Sequence, residues 1–247
     1  MAGRGNKTRG IVPLASTTAR RLLGEQHAGF LAYYLRPSLR NRWGGPFNGQ
    51  RQRQQIFRDV LSAIPFSAIV ETGTYRGDTT AYLRSESRLE VFTVESRASE
   101  YGFSRARFMF DGGVHVFHDD SRSFLCTLAG RADLSKRRLF LYLDAHWSCD
   151  LPLQEEIETI SVHWPYAVAM VDDFAVPHDS GYGYDDYGDG QALTLDYLRR
   201  APNSNWTAFF PRISSDAESG ACRGCVLLAF REETVAALSG IPSLRIA

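Results

Sequence analysis

The chain has 247 residues, of which 44% are hydrophobic, and this is enough to bury the core of one full-size domain. Its 28 basic and 28 acidic residues cancel, so nothing in the composition creates a global positive field that would draw the protein onto nucleic acid. Four cysteines do not make a disulfide framework, and no run approaches the roughly 20 apolar residues of a membrane span, so we expect a cytoplasmic protein without a membrane partner.

The N-terminal part of the chain is strongly basic. Residues 1–55 contain ten Lys and Arg but a single acid, Glu25. The first residues are also poor in large apolar groups, so residues 1–15 are predicted to form a flexible basic tail. The basic segment either docks on the more acidic remainder of the chain or meets an anionic partner, and the first reading is favoured because charge runs are usually solvated faces.

Two helices are predicted after this tail. Apolar residues recur at helical spacing from Thr17 to Leu35, and a second helix is predicted over Gln50–Ile64, after the breaker run Gly44-Gly45-Pro46. Together they predict a helical N-terminal extension over residues 16–64.

From residue 65 to the C-terminus the sequence alternates between short apolar runs and longer amphipathic segments. Continuous apolar runs separated by crossover helices predict an α/β domain with a doubly wound, Rossmann-like parallel sheet. The last two runs lie too close together for a full helix, so they predict an antiparallel hairpin and a sheet of about seven strands. The predicted strands are Ala68–Glu71, Glu90–Glu95, Val114–His118, Leu139–Asp144, Ala167–Asp172, Trp206–Pro211 and Cys225–Phe230.

In such a sheet, ligands bind beyond the carboxyl ends of the strands, so the residues after each strand are the candidate site. The first strand leads into Glu71-Thr72-Gly73-Thr74-Tyr75-Arg76-Gly77-Asp78-Thr79. Gly73 can adopt a positive φ or let a ligand approach the backbone, and Gly77 lets the next helix pack closely. The segment predicts a nucleotide-type binding loop, although an ordinary strand-to-helix turn would have the same glycines.

The second predicted strand ends in Glu95, 24 residues beyond Glu71. An acid at about this distance from the first glycine turn is placed to accept hydrogen bonds from ribose hydroxyls. The alternative is a surface glutamate at a strand end. An NAD-dependent oxidoreductase would also use these features, but Tyr75 and Arg76 crowd the path of a pyrophosphate and disfavour it.

Further acidic residues follow the later strands: Asp119 and Asp120 before Ser121, Asp144 near His146, and the pair Asp172 and Asp173. Carboxylates gathered at one edge of a sheet repel one another unless a cation offsets them. The trio Asp144, Asp172 and Asp173 therefore predicts a divalent metal site with oxygen ligands, with His146 as a further ligand or a base. The alternative is a set of helix N-caps, a role that Asp fills well.

The segments IVETGTYRGDTT, VFTVES, DDSRSF, LYLDAHW and MVDDF, in this order, resemble the motifs of class I S-adenosylmethionine-dependent methyltransferases. Within that class they resemble the metal-dependent macrocin-type sugar O-methyltransferases and their bacterial relatives. The resemblance covers about residues 65–200. It implies a methyltransferase domain over residues 65–247 that uses S-adenosylmethionine and Mg²⁺ to methylate a hydroxyl of a small molecule, such as a sugar or a glycosylated natural product.

The resemblance also implies roles for individual residues. The methionine end of the cofactor would be lined by the glycine loop, the ribose would be held by Glu95, and the adenine would lie beside Asp120 and Ser121. Asp144 is a candidate cofactor contact, metal ligand and base, and His146 is the alternative base. The implied cofactor-binding residues are Glu71, Gly73, Thr74, Gly77, Thr79, Glu95, Asp120, Ser121 and Asp144, and the implied metal ligands are Asp144, Asp172 and Asp173.

Two other readings of the same fold stay open: a methyltransferase fold kept for binding without turnover, and an enzyme of the cephalosporin-hydroxylase-like group. The Gly-, Tyr- and Asp-rich residues 176–190 predict an acceptor-binding wall or lid, although a plain surface loop fits nearly as well. The spacing of acidic residues from Asp185 to Asp196 is partly similar to that of a calcium-binding loop, but a calcium site is disfavoured. The lone pair Cys222 and Cys225 favours a structural role over a metal or redox role, and a homo-oligomer is possible.

Overall fold

The structure, a computed structural model, describes residues 22–41, 44–146, 150–200 and 205–247. Eight strands form one sheet, with helices on both of its faces. No helix in these ranges is both long and apolar enough to span a bilayer. The predicted tail, residues 1–15, and the start of the first predicted helix lie outside the described residues.

The elements follow in chain order. The strands are β1 Ala68–Thr72, β2 Val91–Val94, β3 Val114–Phe117, β4 Leu139–Leu143, β5 Val168–Val171, β6 Thr207–Pro211, β7 Val226–Ala229 and β8 Leu244–Ile246. The helices are α1 Glu25–Leu35, α2 Arg51–Ala63, α3 Asp78–Ser87, α4 Ala98–Arg107, α5 Ser121–Ala129, α6 Leu153–His163, α7 Leu195–Leu198 and α8 Glu232–Ser239, with short 3₁₀ helices at Pro37–Leu39, Pro46–Gly49 and Ser215–Ala217.

The strand order is β3-β2-β1-β4-β5-β7-β6-β8. Strands β1 to β5 pair in parallel, whereas β7 is antiparallel to both β5 and β6. This confirms the predicted doubly wound α/β sheet and its terminal antiparallel hairpin. The order reverses between β1 and β4, so their carboxyl ends open the crevice in which such sheets bind ligands.

The central strands are buried on both faces because helices cover each side. Every residue of β1 and of β4 is buried. One core lies against α5, α6 and α7, and includes Phe124, Leu125 and Ile157. The other lies against α2, α3 and α8, and includes Phe57, Leu83 and Leu238. This two-layer cover explains why the strands are continuous apolar runs rather than alternating ones.

The two N-terminal helices pack in different places. Helix α2 buries Ile56, Phe57 and Val60 in the sheet core, so it is part of the main domain's packing. Helix α1 instead packs on α4, where Gly29 and Gly102 let the two backbones meet. A Cβ at Gly102 would lie 1.9 Å from the carbonyl oxygen of Gln26. Both segments contain the predicted helix, but only α1 lies outside the helices that cover the two faces of the sheet.

Candidate active site at the carboxyl edge of the sheet

The glycine loop crosses the carboxyl ends of three strands. The amides of Gly73 and Thr74 both donate to the carbonyl of Val94 at the end of β2, each at 3.0 Å. Gly73 has φ +87°, and a Cβ there would lie 2.2 Å from the carbonyl oxygen of Asp144, which follows β4. Only glycine allows this approach, so the loop sits at the switch point between β1 and β4.

Gly77 begins the next helix in the left-handed region. Its φ is +78°, and a Cβ would lie 2.5 Å from the ring of Phe108. The residue therefore allows α3 to start close against the end of α4, which is the packing role predicted for it. The N-terminus of α3 points its backbone N–H groups toward the same edge of the sheet.

The Glu71 carboxylate lies inside the protein below the loop. One of its oxygens accepts hydrogen bonds from Thr80 and Thr93, at 2.5 and 2.6 Å. Burial raises the pKa of Glu71 to about 7, against the lowering effect of the two hydroxyls. Thr74 joins this network through Thr93 at 2.5 Å. The side chains of Glu71 and Thr74 thus support the loop, and their contact with a cofactor stays a prediction.

Thr79 is used elsewhere in the structure. Its hydroxyl accepts the backbone N–H of Phe47 at 3.1 Å, which ties α3 to the 3₁₀ helix before α2. The predicted cofactor contact of Thr79 therefore competes with a structural hydrogen bond.

Glu95 follows β2 beside the glycine loop, as the sequence predicts. Its two carboxylate oxygens accept the backbone N–H groups of Tyr75 at 2.7 Å and of Arg97 at 2.8 Å. The side chain is almost fully buried, and burial raises the pKa of Glu95 while the two amides oppose that rise. Each oxygen keeps a second lone pair, so the carboxylate can hold the loop and still accept a ribose hydroxyl.

Asp120 caps helix α5 and pairs with an arginine. One carboxylate oxygen accepts the N–H of Arg122 at 2.9 Å, and the other pairs with its guanidinium at 2.9 Å. This side-chain hydrogen bond lowers the pKa of Asp120. Ser121 is buried and faces Glu156 of α6, whose pKa is raised to about 7 by burial, against the lowering effect of the hydroxyls of Ser121 and Thr72. The pair predicted beside the adenine thus lies next to a buried carboxyl group that the sequence does not single out.

The residues after β4 and β5 form the acidic centre of the edge. Asp144, His146 and Asp173 bring one possible ligand atom each within 4.8 Å of one another. His146 is buried, with Nε2 at 3.7 Å from a carboxylate oxygen of the more exposed Asp144. The structure therefore brings Asp144, Asp173 and His146 together, and their roles as metal ligands or base stay predictions. Trp147, the next residue of the motif, lies outside the described residues.

Asp172 does not belong to this centre, and the predicted trio is wrong on that point. Its carboxylate is fully buried and forms an ion pair with Arg53 of α2. The other oxygen accepts the hydroxyl of Tyr142 at 2.5 Å. Burial holds the pKa of Tyr142 well above its usual range, so it donates as a neutral phenol. Asp172 thus anchors α2 to the sheet.

The donor set does not fit a magnesium site of three carboxylates. Magnesium requires oxygen ligands in near-octahedral geometry. Asp172 is engaged by Arg53, and Asp173 accepts Nε–H of Arg223 at 2.7 Å. Arg223 also forms an ion pair with Asp185. The sequence predicts a cation that balances the clustered carboxylates, and two arginines, Arg53 and Arg223, balance two of them here.

Residues 176–190, here called the wall, lie beside this centre, and their predicted role as an acceptor-binding wall or lid stays a prediction. The backbone of Asp185 donates to Asp173 at 2.9 Å, and Gly183 donates to Cys222 at 2.9 Å. The Tyr187 hydroxyl donates to Asp185 at 2.6 Å and reaches the His146 carbonyl at 3.3 Å. Because Asp185 is taken up by these partners, it is not arranged as a calcium ligand.

The sequence motifs do not single out several residues of this edge: Arg53, Tyr142, Glu156 and Arg223. Arg223 lies between Cys222 and Cys225, which are not joined by a disulfide. An arginine in a late hairpin loop has no spacing relation to Asp173 that a sequence pattern could reveal. For Arg53, the available signal is an arginine on the apolar side of the predicted helix.

No family model and no curated protein sequence matches the chain. Its fold is similar to that of the S-adenosylhomocysteine-bound methyltransferase PaMTH1 of Podospora anserina, at 16% identity and TM-score 0.54 over 90% of this chain and 99% of that one. It is also similar to an O-methyltransferase of Bacillus cereus with bound S-adenosylhomocysteine, at 15% identity and TM-score 0.51 over 87% and 96% of the two chains. The chain has the class I methyltransferase fold that the motifs imply.

Proposed function

We propose that this protein is an S-adenosylmethionine-dependent methyltransferase that methylates a hydroxyl group of a small molecule, such as a sugar or a glycosylated natural product. One observation carries the proposal: the Gly73 loop lies at the switch point of the sheet, with the Glu95 carboxylate buried against it. Two solved structures of similar fold have S-adenosylhomocysteine bound, which agrees with this use of the crevice.

When bound, S-adenosylmethionine supplies a methyl group on a positively charged sulfur, which an oxygen nucleophile can attack. The glycine loop would hold the methionine end, and Glu95 would accept hydrogen bonds from the ribose. Ser121 and Asp120 would lie beside the adenine, where Arg122 keeps Asp120 ionised. These residues bind and orient, and they take no part in bond changes.

The Asp144 and His146 pair is the proposed base. Asp144 is the more exposed of the two, so its carboxylate can reach an acceptor hydroxyl and take its proton. His146, buried at 3.7 Å from Asp144, would orient that carboxylate or take the proton in turn. No step requires a metal ion. Tyr187 and the exposed Tyr184 of the neighbouring wall offer ring faces and hydroxyls to an acceptor.

The first test is calorimetric titration with S-adenosylmethionine. Glu95→Ala removes charge-assisted hydrogen bonds to the ribose and should weaken binding by about 2–4 kcal/mol. Glu90→Gln is the matched control, because the exposed Glu90 precedes the same strand at the opposite edge and pairs with Arg137, and this variant should bind as the wild type does. No binding by the folded wild type would refute the proposed cofactor.

Turnover separates the enzyme from the alternatives. S-adenosylhomocysteine release by the wild type and by Asp144→Asn is measured with a panel of hydroxylated sugars and glycosides. Tight binding without release by any acceptor favours the non-catalytic reading. Loss of release in Asp144→Asn, at unchanged cofactor affinity, supports proton removal by Asp144.

A further inference from the structure

Arg223 places a positive charge directly against the acidic centre. Its Nε–H donates to Asp173 at 2.7 Å, and one terminal nitrogen forms an ion pair with Asp185. Asp173 belongs to the group with Asp144 and His146, and Asp185 is buried in the acceptor wall. The guanidinium therefore bridges the centre where we propose that a proton is taken and the wall against which the acceptor would lie.

The backbone of this arginine is held by the side chain of Gln50, and its guanidinium packs against Gly183. The Arg223 amide donates to Gln50 Oε1 at 3.0 Å, and its carbonyl accepts Gln50 Nε2 at 2.7 Å. Gly183 lies against the guanidinium, and a Cβ there would be 2.9 Å from Nη1. The Gly224 amide also donates to Gly183 at 2.8 Å. A side chain held in this way is built into the site, unlike a surface arginine that can swing into solvent.

A divalent ion and this guanidinium would have the same task, which is to balance the negative charge of the carboxylates. Arg223 occupies one of the two oxygens of Asp173, so an ion bound by Asp144 and Asp173 would compete with the guanidinium for this carboxylate. It would also lie close to a like charge in a partly buried site, where such repulsion is strong. Nearby Asp172 is not available to the ion, because its two oxygens pair with Arg53 and Tyr142.

We propose that Arg223 is the resident cation of the acceptor side of this site. It balances the charges of Asp173 and Asp185 and positions their carboxylates, so that methyl transfer proceeds without a divalent ion. The role in methyl transfer rests on the proposed function, whereas the exclusion of a divalent ion does not.

The test titrates Mn²⁺ into the full-length protein and follows its electron paramagnetic resonance signal, which requires no acceptor. The wild type should show no saturable binding below millimolar concentration. Arg223→Gln removes the guanidinium that pairs with both Asp173 and Asp185, so it should bind Mn²⁺ at least tenfold more tightly. Arg138→Gln is the matched control, because it breaks an exposed ion pair with Glu233 and should behave as the wild type does.

Turnover gives the second readout, once an acceptor is known. Excess chelator should leave the wild-type rate unchanged, and Arg223→Lys, which keeps the charge, should retain more activity than Arg223→Gln. Mn²⁺ should partly restore the rate of Arg223→Gln. Saturable Mn²⁺ binding to the wild type that is lost in Asp173→Asn would overturn the proposal, as would equal Mn²⁺ affinities for the wild type and a folded Arg223→Gln. If Arg223→Gln does not fold, the wild-type titration decides alone. A failure to find methyl transfer leaves this Mn²⁺ result intact.

Discussion

Two carboxyl groups are buried near the end of β1, on opposite faces of the sheet. Glu71 faces the threonines of α3 and β2, and Glu156 of α6 faces Ser121 and Thr72. Burial raises the pKa of each to about 7, above the roughly 4.3 of an unfolded glutamate. Protonation is therefore easier in the folded state, so each group favours folding at low pH and opposes it once ionised.

Glu156→Gln tests this linkage. A raised folded-state pKa means that the contribution of Glu156 to stability is fully present below about pH 4.3 and is lost as the pH rises to about 7. A glutamine has no charge to bury. The free energy of unfolding of Glu156→Gln, relative to that of the wild type, should therefore increase by about 2–3 kcal/mol between pH 5 and pH 8. Urea denaturation at the two pH values measures it. Glu155→Gln, at the exposed neighbouring position, should show no such trend, and equal trends for both variants would contradict the prediction.

The acidic centre shows which part of a site the sequence predicts. The positions of Asp144 and Asp173 after β4 and β5 are enough to bring them to one edge of the sheet. The sequence cannot tell that the adjacent Asp172 is left out of this group, because that depends on its pairing with Arg53 and Tyr142. The sequence correctly predicts that carboxylates accumulate after β4 and β5. It does not reveal the arginines that balance them, because Arg53 and Arg223 come from elements far away in the sequence.

At the scale of elements, the strands with continuous apolar runs were predicted to within one or two residues. Seven predicted strands match β1 to β7, because a buried parallel strand carries its signal in its own composition. Strand β8 was missed. It pairs with β6 at the edge of the sheet and has only three residues, Leu244–Ile246. A strand of this length is too short for its hydrophobic pattern to be recognised in the sequence. The sheet therefore has eight strands instead of about seven.

The contact between α1 and α4 is an element-scale feature that depends on glycine. Gly102→Ala places a methyl group 1.9 Å from the Gln26 carbonyl oxygen, so α1 must move away. Alanine favours a helix interior by up to about 1 kcal/mol, but overpacking against a backbone atom costs about 1–3 kcal/mol. We expect a net loss of stability in urea denaturation. Gly112→Ala, which meets nothing within 4 Å, should be neutral, and a Gly102→Ala protein as stable as the wild type would show that α1 does not hold this position.

At the scale of the molecule, contacts between residues far apart in the sequence join the start of α2 to the loop of Arg223 and join α2 to a residue near the C-terminus. Gln50 and Arg53 of the N-terminal region bind the loop that carries Arg223, and Ser243 near the C-terminus donates to Asp59 of α2 at 2.5 Å. These contacts link residues more than 160 positions apart, so no local pattern could predict them. They make α2 a part of the site's support, although the sequence assigned it to an extension.

The buried pair of Arg53 and Asp172 should therefore be strongly coupled. Arg53→Met leaves an ionised Asp172 buried beside Tyr142 and should cost about 3–5 kcal/mol, whereas an exposed pair such as Arg138 and Glu233 is worth about 0–1 kcal/mol. Adding Asp172→Asn to Arg53→Met removes the stranded charge, so the double variant should lose less than the sum of the single losses, by at least about 2 kcal/mol. Urea denaturation of the four proteins in each cycle gives both coupling energies. Additive losses for the buried cycle would mean that α2 is held by its apolar face alone, with Asp172 left available to the acidic centre.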